Sequence, residues 1–151
     1  MKTVSAVLAL SLLAPALAAC ATTGVPAANP MHTGTPLIAT LDGKAEVPPG
    51  DPDGTGEFAG WFDPAMGRVC YTLGTASITT PTMAHIHQGD AQTAGPVVIA
   101  LQTPVHNLSD TCTPASPALL QQIIANPSAY YVNVHTADYP KGAIRAQLKP
   151  K

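Results

Sequence analysis

From residue 37 onward, glycine and proline break the apolar sequence every few residues. The 151-residue chain holds 12 Gly and 16 Pro. Proline removes a backbone donor from any helix interior or central strand, and glycine is entropically costly in both. Short apolar runs bounded by such residues are the pattern of many short strands, not of a helix bundle. Hydrophobic residues are 46% of the chain, enough to build a core and to argue against wholesale disorder. Lys and Arg number only 7, are scattered, and leave a formal net charge of −2. That excludes a basic nucleic-acid-binding patch. The length is that of one domain.

Seven runs read as strands: residues 37–41, 57–62, 69–73, 83–87, 96–101, 130–135 and 143–148. Asp63-Pro64-Ala65-Met66-Gly67 is a turn, because Pro presets its dihedral and Gly accepts positive φ. Residues 47–54, crowded with Pro, Gly and Asp, form a loop. The one convincing helix opens at Ser116-Pro117, a cap followed by proline at the first helical position. Leu119, Leu120, Ile123 and Ile124 follow at helical spacing, and Asn126-Pro127 ends it. About seven strands and one short helix predict an all-β, antiparallel, Greek-key-like sandwich.

The N-terminus has a different character. Lys2 precedes an almost wholly apolar stretch from Val4 to Ala19. A membrane span needs about 20 apolar residues, so this stretch fits a signal-peptide core better. Its end, Leu17-Ala18-Ala19-Cys20, resembles the lipobox of bacterial lipoproteins. That resemblance implies a signal peptide over residues 1–19, cleavage before Cys20, and acyl chains (palmitate among them) on Cys20. Two or more acyl chains anchor stably where one binds marginally. Residues 20–36 then read as lipidated cysteine and tether, and residues 37–150 as the domain. Ala21, where an aspartate would signal inner-membrane retention, points to the outer membrane and the periplasm. The expected partner is thus the membrane, through lipid; a protein partner in the envelope stays unidentified.

Cys70 and Cys112 remain. Two cysteines in an oxidising compartment suggest one disulfide; two buried thiols or a metal-ligand pair are the alternatives.

Side chains alternate along a strand, so His85 and His87 share one face while Ala84 and Ile86 take the other. Tyr131, Asn133 and His135 likewise oppose Tyr130, Val132 and Val134. Arg145 and Gln147 oppose Ile144, Ala146 and Leu148. If the apolar faces build the core, the histidines lie away from it, on one shared surface if their strands are neighbours. His-x-His sets two imidazoles about 6–7 Å apart at the backbone. A third from another strand would complete a set suited to copper or zinc. The competing reading makes His85, His87 and His135 hydrogen-bonding braces. Ring nitrogens converging within about 4 Å would favour a metal. His32 and His106 read as incidental, and Asp51 and Asp53 as solvated loop charges. No Gly-x-Ser-x-Gly elbow and no phosphate-binding loop is present, so no catalytic residue is assigned and enzymatic activity stays open.

Several stretches together resemble the CHRD domain. They are Leu41-Asp42-Gly43 with Glu46-Val47-Pro48-Pro49, Cys70-Tyr71-Thr72-Leu73, and Ala84-His85-Ile86-His87-Gln88-Gly89 with Gly95-Pro96-Val97-Val98. Asn126-Pro127, residues 130–136, Tyr139-Pro140 and residues 142–148 complete them in family order. The resemblance implies a β-sandwich and a paired Cys70 and Cys112, and it carries no catalytic residue. A shorter stretch, residues 85–90 followed by Thr93-Ala94-Gly95, is similar to the copper-ligand strand and loop of copper–zinc superoxide dismutase. The segment after Gly95 holds no histidine before His106, so the zinc site of that enzyme has no counterpart there. Three functions follow as expectations: metal binding at the three histidines, a non-enzymatic interaction or structural module of the envelope, or a dismutase-like activity.

Overall fold

The computed structural model describes residues 33–106 and 108–151. The signal peptide, Cys20, His32 and most of the expected tether lie outside the described residues. Nine strands and one α-helix follow in order: β1 (Thr35–Asp42), β2 (Thr55–Asp63), β3 (Arg68–Ala76), β4 (Pro81–Gln88), β5 (Val97–Leu101), β6 (Leu108–Pro114), α1 (Pro117–Ala125), β7 (Tyr130–Thr136), β8 (Ile144–Gln147) and β9 (Lys149–Pro150). The strand order is β5-β4-β7-β8-β1-β2-β3-β6, with β9 paired to β1, and every pairing is antiparallel. Only Asp42 opposite Arg145 joins β1 to β8. The sheet therefore folds into two four-stranded halves over one core. The chain changes half from β3 to β4, from β5 to β6, and again through α1 to β7, the Greek-key-like order expected.

Two strands exceed the expected seven. β9 is a two-residue extension. β6 was invisible because Leu108-Ser109-Asp110-Thr111-Cys112-Thr113-Pro114 has no apolar alternation. It is an edge strand held by seven register pairs to β3, including Cys70 opposite Cys112. Those two cysteines form a disulfide. β1 begins at Thr35, two residues inside the stretch read as tether, because Thr35 and Pro36 pair with Phe62 and Trp61.

The core takes the predicted faces. Ala84, Ile86, Val132, Val134 and Ile144 of one half meet Leu37, Leu41, Phe58, Phe62, Tyr71 and Leu73 of the other, all fully buried. Phe58 stacks on Tyr71 with ring centres 5.6 Å apart. The α1 helix contributes Leu120 and Ile123, and the Ser116 hydroxyl caps it by accepting from the Leu119 amide. The β2–β3 turn forms as its residues require. Asp63 accepts from the Met66 amide at 3.0 Å, and Gly67 takes φ +60°.

Candidate metal centre

Strands β4, β7 and β8 are neighbours, so their non-core faces form one grid. His87, Tyr131 and Gln147 lie in one row, and His85, Asn133 and Arg145 in the next. The shared surface expected of neighbouring strands is therefore present, but it is covered. His87, His135, Asn133 and Arg145 are all buried, and His85 is half-buried. Two loops cover the grid, residues 43–53 after β1 and residues 89–95 after β4. The second is fastened from below. The Arg145 guanidinium donates to the Asp90 carbonyl at 2.8 Å and to the Thr93 carbonyl at 3.2 Å. Gln147 donates to the Gly89 carbonyl at 2.9 Å, and Tyr131 accepts from the Gly95 amide at 3.1 Å. Tyr131 also stacks on His87, ring centres 4.8 Å apart and 7° from parallel, and carries the Arg145 guanidinium 3.6 Å over its ring.

The loop in turn orients a histidine. His87 Nδ1 lies 2.8 Å from the Gly95 carbonyl oxygen. A carbonyl only accepts, so Nδ1 carries the proton, and in the neutral ring Nε2 keeps a lone pair. His135 is held the same way, its Nδ1 donating to the Pro140 carbonyl at 3.1 Å. That carbonyl sits in the β7–β8 turn, which Thr136 closes by accepting from the Tyr139 amide. His135 Nε2 faces His85 Nδ1 at 3.2 Å. His87 Nε2 is buried and has no hydrogen-bond partner. An unsatisfied buried polar atom costs about 1–3 kcal/mol and calls for an explanation.

One nitrogen from each ring lies within 4.8 Å of the others. Three tetrahedral ligands on zinc would stand about 3.4 Å apart, given Zn–N bonds of about 2.0–2.1 Å. The His85–His135 pair is already at that spacing, while the full set is wider than the 4 Å expected of a closed site. A small rotation of the half-buried His85 is the available adjustment. Burial, with the charges of His135 and His87 adding to it, pushes the His85 pKa down to about 4. Burial, and secondarily the charge of His87, also lowers that of His135, against the opposing bond to Pro140. Both rings are therefore neutral at pH 7, the form that ligates metal. The other sequence candidates stand apart. His106 lies in the β5–β6 loop at φ +51°, and Asp51 accepts from the Asp53 amide of its own turn.

Glu46, in the covering loop, was missed as a functional residue. It appeared only in the CHRD-like string Glu46-Val47-Pro48-Pro49, and nothing in its neighbours marks it as buried. Its carboxyl packs against Gly142, whose φ of +141° and missing Cβ make the room. Burial raises its pKa from 4.5 to about 7, while Arg145, Asn133 and the Val47 amide pull it down. The folded state thus binds a proton that the unfolded state releases above pH 4.5. This contribution to stability is full below pH 4.5 and is lost as pH rises through 7. Glu46→Gln is expected to match the wild type near pH 4.5 and to exceed it by about 2–3 kcal/mol at pH 8. Denaturant unfolding of both across that range measures the difference. A difference that does not grow with pH would show that Glu46 ionises freely.

Searches of curated proteins and of solved structures return no match to the chain. The CHRD domain model matches residues 37–148, nearly the whole of the described sandwich, and the chain belongs to that family.

Proposed function

We propose that this CHRD-domain protein is a lipid-anchored protein of the cell envelope that binds a transition metal, copper or zinc, through His85, His87 and His135. The observation that carries the reading is the buried, unpartnered Nε2 of His87 beside two neutral imidazoles. Metal-ligating histidines characteristically donate their other ring nitrogen to a carbonyl or carboxylate, as His87 and His135 do to Gly95 and Pro140. His87 leaves its Nε2 without a partner, whereas a bracing histidine there would use both nitrogens. The anchor rests on the lipobox-like Leu17-Ala18-Ala19-Cys20.

The purified full chain is expected to bind one equivalent of zinc or copper. Each of His85→Ala, His87→Ala and His135→Ala should weaken the affinity about 100-fold or more, measured by competition with a chromophoric chelator. Unchanged affinity in all three variants would defeat the proposal. Labelled palmitate should enter the wild type and not Cys20→Ser; equal labelling of both would remove the anchor.

A further inference from the structure

Three histidines leave room for a fourth ligand at this centre, and one further side chain starts from a strand position beside it. Met83 precedes His85 by two residues on β4, so it projects from the same face as His85 and His87. Ala84 and Ile86, on the other face, are in the core. Across the sheet Met83 is directly opposite His135. Side chains so paired start about 4.5–5.5 Å apart at Cβ, and three rotatable bonds let a methionine sulfur cover that distance. Met83 is also 45% exposed, an unusual place for a large apolar side chain, while the ring it faces is buried. The ladder between β4 and β7 shifts register between Pro81 and Met83, an irregularity of the kind that re-aims a side chain.

We propose that the Met83 thioether is the fourth ligand of the histidine centre and that it biases the centre toward Cu(I). The proposal rests on the metal-binding reading of the three histidines. Among the described residues, no carboxylate joins the cluster. Three neutral imidazoles and a thioether make an uncharged donor set with a soft member. Such a set suits a soft monovalent ion, whereas zinc and Cu(II) gain little from the thioether. Binding is ligation only: the Met83 sulfur and three ring nitrogens each give an electron pair to the ion. His85 Nδ1, the donor to His135 Nε2, gives up that bond in the process, and its proton moves through solvent to His85 Nε2, so that Nδ1 has the lone pair that ligates.

The test compares wild type, Met83→Leu and His87→Ala, each as the full chain in detergent. Met83→Leu keeps an apolar side chain of similar size at an exposed position, so folding is preserved. Cu(I) affinity is read anaerobically against bicinchoninate, and Zn(II) affinity against a chromophoric chelator. Met83→Leu is expected to lose Cu(I) affinity at least tenfold and to hold Zn(II) within about twofold. X-ray absorption of the Cu(I) form should show one sulfur neighbour in the wild type and none in the variant. Unchanged Cu(I) affinity in Met83→Leu, with binding abolished in His87→Ala, overturns the methionine ligand and leaves the histidine centre standing. Equal losses of both metals overturn it too, since they would mark a packing role. A wild type that binds neither ion overturns both proposals together.

Discussion

Arg145→Met is expected to destabilise the protein by about 3 kcal/mol and to weaken metal binding tenfold or more, although Arg145 is not a ligand. Its guanidinium, 1% exposed, spends its donors on the Asp90 and Thr93 carbonyls and on Gln147, and stacks on Tyr131. Each hydrogen bond to a charged group is worth about 1.5–3 kcal/mol, against which stands the cost of burying the cation. A buried ion pair is sometimes replaced by hydrophobes without loss. Here the acceptors are loop carbonyls that methionine cannot satisfy, so the balance favours arginine. Loss of the fastening frees residues 89–95, and with them the Gly95 carbonyl that sets the His87 tautomer. Changes in such supporting contacts typically cost 10–100-fold in metal affinity. Arg145→Lys should restore little, because a lysine offers neither the planar fork nor the stack. Denaturant unfolding and chelator competition measure the two effects. A variant within about 1 kcal/mol of wild type, with unchanged affinity, would show that the loop holds itself.

What the sequence revealed about this region was direction, and what it hid was depth. Alternation alone placed His85 and His87 together, and Tyr131, Asn133 and His135 together, because a strand's period is insensitive to its surroundings. The same holds for α1, whose cap, proline and Leu/Ile spacing are all local. Neighbourhood of β4, β7 and β8 is not local: residues 88 and 130 meet across some forty intervening positions. Burial of the polar face was further from reach, since it depends on two loops with no period of their own. A buried Arg145 with partners on residues 90 and 93 looks, in sequence, like any polar residue on an exposed strand face. Glu46 was hidden for the same reason. β6 failed differently: as an edge strand it buries little, so it never shows the apolar signal by which strands are found.

The disulfide fastens that edge strand to the rest of the sheet. Removing it as Cys70→Ala with Cys112→Ala is expected to cost about 4 kcal/mol, the entropy of closing a loop of some forty residues in the unfolded chain. At about 4 °C per kcal/mol for a domain of this size, the melting temperature should fall by roughly 15 °C. The loss should also be uneven. Among the described residues, β3 is the one named strand that pairs with β6, and Ser109 is its one well-buried residue. Beyond backbone bonds and Cys112, it is held by the Thr113 hydroxyl donating to the Ala100 carbonyl of β5 at 3.4 Å. β4 and β7 are flanked on both sides and carry Ala84, Ile86, Val132 and Val134 into the core. Hydrogen exchange should therefore rise first in residues 108–114 and last in β4 and β7. The histidine centre, built on the other half of the sheet, should keep its metal affinity at temperatures where β6 has opened. Uniform loss of protection across both halves would show instead that the edge strand and the core unfold as one unit, and that the disulfide acts on the whole sandwich.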